Sequence, residues 1–540
     1  MADADDSPDA DALPAYVRGL LEPAAYPHQP ASVALRQTHL SYVFLADDLV
    51  YKTKKPVDFG FVAQLDRETR ERFCRAEVTL NRRLAPDVYL DAVPVLRLTG
   101  GGYAVERPPA GREAAETVEW AVKMRRLPDD RTLAALLAAR REPPDITERL
   151  VAKLAAFHAS AARVANDPPF AGAGAVRAWW RREYAEAEGF VGGTWEPRDA
   201  ARTRTFVERE LAAQAALFDA RLAAGRVVEG HGDLHAQHVY VLGPAPEQLV
   251  IVDCIEFSDW FQFRYLDVGY ELAFLAMDLE ARGHPELGDE LAGRYIAATA
   301  DETLGVLQPL HRAFRAFVRG KVESIGANAP EVPAREQRRL ADSATQYFAL
   351  AARYADRREP PVVIVITGLS GTGKSTVGAA LAGRIGAAFV SSDPIRRELA
   401  GPSKMFQRFE EGAYTPEMSE RTYAEMRRRA GEHLAAGRPV VLDATHSRRV
   451  DRRAAQDLAR AARVPSLLVE LRMSDDAALA RLMQRERAGA DTVVDPGAYG
   501  RHVAAFDAVS AAEGMCLALD ASQSVGALVL EITEAMPRRV

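Results

Sequence analysis

The chain has 540 residues, 48% of them hydrophobic and 27% charged, with a formal net charge of -7 at pH 7. This length exceeds one ordinary hydrophobic core and predicts two to four domains of a soluble globular protein. The acidic balance argues against a protein that coats long nucleic acid, although it is compatible with a local basic groove.

The three cysteines, Cys74, Cys254 and Cys516, are too far apart in sequence to indicate a disulfide framework or a metal site. They fit a reducing cytoplasm, which we take as the predicted localisation. No run of about 18 uncharged apolar residues occurs, so we predict no membrane partner. Residues 1–28 begin acidic and Ala-rich, unlike a signal peptide, and are predicted to form a disordered tail.

From residue 29 the pattern predicts short strands over 31–104, with one helix at 66–84. After Trp120 it becomes mostly helical, interrupted by a strand pair around 239–257. Charges and a proline pair at 356–361 then indicate a linker. We therefore predict one domain over 29–355 and a second over 362–540.

Two acidic residues in the first domain suggest chemistry. Asp233 lies in the polar loop GHGDLHAQH, and Asp253 ends an apolar run about twenty residues later. One carboxylate could act as a base or position a hydroxyl, while the other binds a metal. The spacing alone is equally compatible with a loop rich in Asp and His that serves only turn formation.

Over residues 30–350 the chain resembles the aminoglycoside phosphotransferase branch of the protein-kinase-like fold, which implies a bilobal domain. The loop from His231 to His238 resembles that family's catalytic loop, which implies that Asp233 accepts the proton of the acceptor hydroxyl. Asp253 matches the Mg²⁺-binding aspartate. Lys52 matches the nucleotide-binding lysine and Glu77 its ion-pair partner, with Lys54 left open as the alternative lysine.

The chain departs from this family at two places. His238 stands where the family has a metal-binding Asn, although Mg²⁺ prefers oxygen ligands, so Glu256 or water could supply the oxygen instead. Gln237 offers an amide oxygen one position out of register. The stretch before Lys52 has no Gly-rich loop, and there Thr38, His39 and Ser41 are candidate phosphate contacts.

Other polar and aromatic residues of this domain favour structural roles. We expect His158 and Asp267, both within helical patterns, to support packing. Five aromatic residues could line an acceptor pocket, although core packing is the preferred interpretation: Trp179, Trp180, Trp260, Phe261 and Phe263.

The second domain opens with the strongest motif in the chain. A β-branched apolar run precedes Gly368-x-x-x-x-Gly373-Lys374-Ser375, and a helical pattern follows. Glycines allow backbone N–H groups to surround a phosphate, and the helix directs its positive end at the anion. The motif predicts that a nucleoside triphosphate and Mg²⁺ bind here, with these residues in contact: Gly368, Ser370, Gly371, Thr372, Gly373, Lys374, Ser375 and Thr376.

Strands and helices are predicted to alternate through the rest of this domain. The strands are expected at 362–367, 387–391, 439–443, 466–471 and 515–519, which predicts a doubly wound parallel sheet. Thr415, Pro416 and Gly437 carry the start and stop signals of one of the helices.

Further charged residues are predicted at the carboxyl ends of these strands. Asp393 could orient and deprotonate an acceptor hydroxyl, with Arg396 holding an anionic or sugar group, although Asp393 could equally cap a helix. Asp443 is the predicted Walker B ligand of Mg²⁺ together with Ser375. Downstream of them lie Thr445 and Arg448, and then the candidate lid arginines Arg481, Arg485 and Arg487, of which Arg485 is the predicted catalytic one.

Residues 361–540 resemble the small AAA-type P-loop kinases that include gluconate-kinase-like, zeta-toxin-like and polynucleotide-kinase-like enzymes. The two resemblances together imply a fused chain with two ATP-dependent kinase modules that act on small-molecule hydroxyls. One alternative is phosphorylation of nucleic-acid ends, with the backbone held by Arg448, Arg449, Arg452 and Arg453. Another is a non-catalytic N-terminal module. Homo-oligomer formation is left open.

Overall fold

The structure is a computed structural model that describes residues 13–58, 60, 62–164, 172–257, 264–329, 332–355, 361–400, 415–487 and 499–537. Its contacts divide the chain into two compact units. Unit 1 comprises Met1–Pro143, Phe157–Ala171 and Gly225–Leu266, and unit 2 comprises Pro144–Ala156, Gly172–Ala224 and Asp267–Val540.

The strands are β1 Val33–Gln37, β2 Ser41–Ala46, β3 Leu49–Lys54, β4 Tyr89–Leu98, β5 Tyr103–Val105, β6 Ala114–Arg125, β7 Val227–Glu229, β8 Val239–Val241, β9 Leu249–Ile251, β10 Tyr265–Asp267, β11 Val363–Thr367, β12 Ala388–Ser391, β13 Val440–Asp443, β14 Ser466–Arg472 and β15 Cys516–Asp520.

The α-helices are α1 Ala15–Gly19, α2 Arg67–Asn81, α3 Leu133–Ala138, α4 Ile146–Ser160, α5 Ala173–Ala187, α6 Pro197–Ala213, α7 Ala215–Ala223, α8 Val268–Ala281, α9 Pro285–Thr299, α10 Leu304–Ala327, α11 Ala334–Tyr354, α12 Lys374–Ile385, α13 Ser392–Ala400, α14 Pro416–Ala435, α15 Arg449–Ala461, α16 Asp475–Arg487, α17 Tyr499–Ala504 and α18 Val525–Glu534.

Unit 1 is built on a six-stranded sheet in the order β1-β2-β3-β6-β4-β5. The expectation that the chain turns helical after Trp120 is wrong for 121–125, which complete β6. This strand pairs antiparallel with β3 on one side and β4 on the other. Ladder hydrogen bonds on both edges therefore fix a segment whose own pattern is ambiguous.

The predicted disordered tail needs a correction. Residues 1–12 lie outside the described part, but α1 follows directly, and Val17, Leu20 and Tyr26 are buried in the core beneath the sheet. These apolar side chains gain more from burial than the short segment loses by becoming ordered.

The sheet of unit 2 is parallel and has the order β12-β13-β11-β14-β15. The five predicted strands agree with the observed ones to within one residue at each end. Helix α14 begins after Thr415, whose side chain accepts a hydrogen bond from Met418 N (3.2 Å), and Gly437 follows it with φ +71°. The predicted mixed α/β class and the doubly wound parallel sheet that contains the P-loop are confirmed.

Within unit 2, the helix after the P-loop packs against helices that precede it in sequence. Gly293 on α9 lies so close to α12 that a Cβ there would be 2.4 Å from Ala380 N. Gly305 on α10 likewise approaches the backbone of Ala387. Arg384 on α12 adds an ion pair to Asp289 (2.8 Å). Unit 2 therefore includes residues from both sides of the predicted linker, most of which lies outside the described part, and the predicted domain boundaries stay a prediction.

Among the described residues, no helix combines the length and the apolar character needed to cross a bilayer. The expectation of no membrane partner is otherwise untested and stays a prediction.

Acid is expected to destabilise unit 2 through His433 on α14. Burial and the charge of Arg438, whose Nε donates to His433 Nδ1 (3.0 Å), lower the pKa of this histidine from 6.5 to about 4. His433 therefore binds a proton near pH 6.5 in the unfolded chain but only near pH 4 in the folded chain. The stabilisation is complete above pH 6.5 and falls as the pH drops towards 4, by up to about 3 kcal/mol.

Urea unfolding midpoints between pH 7 and 4.5 would test this expectation. His433→Gln should flatten their decline, whereas a substitution of the exposed His39 should not. Equal slopes for wild type and His433→Gln would contradict the assignment.

Candidate active sites

The P-loop of unit 2 has an open backbone suited to an anion. Gly371 and Gly373 both have φ +87°, which a side chain would strain, and a Cβ on Gly371 would lie 2.6 Å from the carbonyl oxygen of Ala478. Within the described chain, the amides of Gly371, Gly373 and Ser375 donate to no acceptor. Unpaired N–H groups at the start of α12 can therefore bind phosphate oxygens.

Lys374 and Asp443 lie together at this loop. Lys374 Nζ donates to Leu369 O (2.9 Å), so the ammonium lies over the loop. Asp443, at the end of β13, accepts from Ser391 Oγ at Oδ2 (2.8 Å), while its buried Oδ1 has no hydrogen-bond partner among the described residues. Burial raises the pKa of Asp443, and the charge of Lys374 partly offsets this.

A divalent cation fits this pair of side chains. Buried polar atoms normally have a hydrogen-bond partner, and the buried Oδ1 of Asp443 has none among the described residues. The Ser375 hydroxyl is close enough to help lower the carboxyl pKa. Both donors are oxygens, which Mg²⁺ prefers.

The acceptor side of this site lies at the carboxyl end of β12. Asp393 is exposed in the first turn of α13, and its charge acts on Asp443. Arg396 on the same helix is buried and donates to Ser419 Oγ (3.3 Å). Asp393 therefore lies both at the start of a helix and near Asp443, so its two predicted roles are compatible. Its catalytic role stays a prediction.

The predicted lid is only partly described. Arg481 on α16 approaches the P-loop, since its Nη1 would lie 3.7 Å from a Cβ on Gly373. The side chains of Arg485 and Arg487 and the segment 488–498 lie outside the described residues. The catalytic role assigned to Arg485 therefore stays a prediction.

The prediction that Arg452 helps to hold a nucleic-acid backbone is wrong. Its side chain is fully buried, with Nε donating to Glu513 Oε2 (2.7 Å) and Nη1 to His446 O (3.0 Å). Removing a buried guanidinium from its carboxylate is strongly unfavourable, so Arg452 cannot reach a phosphate backbone. Its physical role is to join α15 to the loop after β13.

In unit 1, backbone pairing brings the two predicted acidic residues together. Strands β8 and β9 form a hairpin in which Val239 is opposite Ile251, and Val252 N donates to His238 O (2.9 Å). His231 Nε2 donates to Val252 O (2.8 Å) and so fixes the loop that carries Asp233. The loop and the segment after β9 thereby meet at one edge.

Lys52 lies at the centre of this edge. Its Nζ is 2.9 Å from Glu77 Oε1 and 2.9 Å from Asp253 Oδ1. Burial would lower the pKa of Lys52, but the charges of Asp253 and Glu77 raise it well above its usual value. Burial likewise would raise the pKa of Asp253, but Lys52 holds it below its usual range. All three groups are therefore charged near neutral pH.

Lys54 is held by different partners. It is fully buried and contacts Glu77 and Glu256, and burial is outweighed by these carboxylates so that its pKa is raised. Since Glu256 is engaged with Lys54, it is poorly placed to supply the metal oxygen. Of the two lysines, Lys52 contacts Asp253, whereas the described partners of Lys54 are Glu77 and Glu256. The geometry therefore favours Lys52 as the nucleotide-binding lysine.

A cavity of about 250 Å³ adjoins Lys52 and Asp253. Apolar side chains, among them Val50, Val88 and Met124, line one part of it, and His238 and Gln237 line another. An apolar slot beside a lysine suits a flat base attached to an anionic tail.

Other predicted residues have supporting places. Thr38 Oγ1 accepts from Ser41 N (3.0 Å) and closes the hairpin between β1 and β2, while Ser41 is buried and turned away from solvent. Asp267 caps α8 and binds Arg221 through both carboxylate oxygens (2.7 and 2.8 Å). Trp179 and Trp180 pack against Phe314, at 4.1 and 5.1 Å between ring centroids. His158 is buried, and Trp260, Phe261 and Phe263 lie outside the described residues.

Sequence reasoning missed three residues that position these sites. Asn81 on α2 accepts from Cys254 N (2.8 Å), and Tyr89 Oη accepts from Asp253 N (3.1 Å). Together they support Asp253 in a backbone with φ +69° that non-glycine residues seldom adopt. Ser391 orients Asp443. Only Ser391 had a local signal, as it directly precedes the Ser-Asp pair at 392–393.

The fold and these clusters define a chain in which a P-loop domain with a parallel sheet follows a part that has an antiparallel sheet and a Lys–Glu–Asp cluster. The family described as "AAA domain" matches residues 363–507. Two mycobacterial proteins, the uncharacterized protein Rv2004c of Mycobacterium tuberculosis strain H37Rv and the uncharacterized protein Mb2027c of Mycobacterium bovis, are each 32% identical over 447 residues, 82% of this chain and 84% of theirs. The chain belongs to the family of these proteins.

Two solved structures are similar at lower identity. A choline/ethanolamine kinase family protein from Mesorhizobium loti is 15% identical and covers 62% of this chain and 97% of its own, with a TM-score of 0.35. A gluconokinase from Sinorhizobium meliloti 1021 is 22% identical and covers 33% of this chain and 93% of its own, with a TM-score of 0.27.

Proposed function

We propose that the chain transfers the γ-phosphoryl group of ATP to hydroxyls of small molecules at two separate sites, one in each unit. The observation that carries the two-site form is the position of Lys52, 2.9 Å from both Glu77 and Asp253. Phosphoryl transfer depends mainly on positioning and on neutralising charge, which is what a lysine held between two carboxylates does.

At the P-loop site, the open amides and Lys374 would bind the β and γ phosphates. Asp393 would accept the proton of the acceptor hydroxyl as its oxygen attacks the γ phosphorus. The bond from that phosphorus to the β–γ bridging oxygen breaks, and ADP leaves with the electron pair. Mg²⁺ would neutralise charge on the phosphate oxygens, with Ser375 and Asp443 as the residues that would hold it.

At the site in unit 1, Asp233 would accept the proton of the acceptor hydroxyl, as Asp393 does at the P-loop site. Lys52 would bind the phosphates, as Lys374 does there. Asp233 lies on a loop fixed by His231 and stays partly exposed, so a hydroxyl can reach it. The acceptors are expected to be sugars, aminoglycosides or related metabolites. Phosphorylation of nucleic-acid ends is the weaker candidate because Arg452 is buried.

The two aspartates provide the test of this proposal. Asp233→Asn and Asp393→Asn should each lower kcat for one product by about 10²- to 10⁴-fold, since each removes a general base. The measurement is mass spectrometry of phosphorylated products after incubation with ATP, Mg²⁺ and a mixture of sugars, aminoglycosides, nucleosides and cell metabolites.

Asp457→Asn is the matched control, because Asp457 is exposed on α15 and pairs with Arg460 at the surface. If every product survives in Asp233→Asn but is lost in Asp393→Asn, the N-terminal unit is a binding module and the two-site proposal fails. If no product forms with any acceptor, phosphotransfer itself is refuted.

A further inference from the structure

His238 ends the loop that carries Asp233, and its two ring nitrogens have different surroundings. Nδ1 is 2.9 Å from the backbone carbonyl oxygen of Asp233. A carbonyl only accepts, so Nδ1 carries the proton and Nε2 carries the lone pair.

The lone pair of Nε2 faces a carboxylate. Nε2 is 3.6 Å from Asp253 Oδ2, while the other oxygen of Asp253 is 2.9 Å from Lys52 Nζ. Two acceptors that face each other repel unless a cation or a donor lies between them. Two ligand atoms about 2.1 Å from one ion are about 3.0 to 3.4 Å apart at octahedral to tetrahedral angles, so a small movement of either side chain would let both bind one ion.

The neighbouring His235 is a poorer ligand, although its ring is 3.9 Å from that of His238. Gln237 N donates to His235 Nδ1 (3.3 Å), so the proton of His235 is on Nε2, which lies 3.5 Å from Asp233 Oδ2. A cluster of Asp233, His235 and His238 could otherwise bind a metal. The hydrogen bonds instead favour His238 with Asp253.

We propose that His238 and Asp253 form a mixed nitrogen–oxygen site that prefers an imidazole-tolerant divalent cation, of the Mn²⁺, Co²⁺ or Zn²⁺ class, over Mg²⁺. Mg²⁺ favours oxygen ligands in octahedral geometry and loses its water reluctantly, whereas these ions accept imidazole readily. The site therefore does not fit Mg²⁺ as its preferred ion. The inference rests on the proposed function only in placing this ion beside the nucleotide of unit 1.

The test is pulsed EPR of Mn²⁺ added to the full chain without nucleotide. A ¹⁴N coupling from a directly bound imidazole is expected in wild type. An ion held by Ser375 and Asp443 has only oxygen ligands and gives no such coupling. His238→Asn should lose the coupling and weaken Mn²⁺ binding about 10- to 100-fold relative to Mg²⁺, as loss of a metal ligand or its support typically does.

His235→Asn is the matched control and should retain the coupling. Absence of ¹⁴N coupling in wild type overturns the proposal, even if His238→Asn fails to fold. Coupling that persists in His238→Asn, or is lost only in His235→Asn, overturns it too. The readout needs no turnover, so failure of phosphotransfer with the coupling intact would reject the proposed function and leave this site standing.

Discussion

Lys374→Ala is expected to lower formation of the P-loop product by on the order of 10²- to 10³-fold, the usual effect of removing a positive group that stabilises a transition state. Lys374 Nζ lies 2.9 Å from Leu369 O in the P-loop, and its charge also acts on Asp443. Without it, the negative charge of the β and γ phosphates and the charge that develops during transfer lose the positive charge that Lys374 would supply.

Lys374→Met keeps the length of the side chain and removes only its charge, so it should behave like Lys374→Ala. Thermal unfolding should be almost unchanged in both variants, because the side chain is not fully buried. Rates of each product, resolved by mass spectrometry, are the measurement. Undiminished P-loop product in both variants would refute the assignment of Lys374.

Lys52→Ala is the mirror of this experiment and should remove the other product. Lys52 Nζ lies 2.9 Å from both Glu77 and Asp253, and after its loss Glu77 keeps its contact with Lys54 while Asp253 loses its ammonium partner. Unit 1 should therefore lose stability as well as activity, unlike unit 2 in Lys374→Ala.

The second large effect is expected at Gly293. Gly293→Ala should destabilise unit 2 by about 2 kcal/mol or more, because its Cβ would lie 2.4 Å from Ala380 N and 2.6 Å from Ala380 Cα. Both atoms belong to helix backbone and cannot turn aside as a flexible side chain would. Helices α9 and α12 must separate, and α12 is the helix that begins at the P-loop.

Two glycines provide matched controls for this substitution. Gly174 on α5 has open space around its Cβ position, so Gly174→Ala should stabilise by about 0.5 to 1 kcal/mol. Gly383 on α12 would place its Cβ 3.5 Å from Ala292 Cβ, an ordinary contact, and should be nearly neutral. Urea unfolding of the three variants is the measurement. Equal midpoints for Gly293→Ala and Gly174→Ala would contradict the predicted clash at Gly293.

The same variant tests a coupling between packing and nucleotide binding. ATP should raise the unfolding midpoint of wild type and of Gly383→Ala, since a ligand of the folded state stabilises it by mass action. In Gly293→Ala this shift should be smaller, because displacement of α12 moves the amides at its first turn.

Much of the P-loop site could be predicted because its parts are consecutive in sequence. Backbone groups from Gly368 to Ser375 form the loop by local rules about glycine and helix ends. The positions of Asp393, just after β12, and of Asp443, at the end of β13, also follow from local patterns, since all strands of a parallel sheet direct their carboxyl ends to one edge.

The site in unit 1 could be predicted only in part. Lys52 and Lys54 lie on the same face of β3, and strand alternation treats them alike. What distinguishes the two lysines is the carboxylate that each contacts. Lys52 contacts Asp253, 201 residues away in sequence, and Lys54 contacts Glu256, 202 residues away. Arg452 shows the same limit, because nothing local distinguishes a buried arginine paired with Glu513 from its exposed neighbours.

By itself, then, the sequence determined the parallel sheet of unit 2, its P-loop and the loop that carries Asp233, because each follows from short-range patterns of polarity, glycine and turn residues. Only the tertiary structure decided that 121–125 is a central strand, that Lys52 rather than Lys54 contacts Asp253, and that the Nε2 of His238 faces Asp253 Oδ2. Those outcomes depend on hydrogen-bonding edges and charges supplied by segments distant in the chain, which no local pattern encodes.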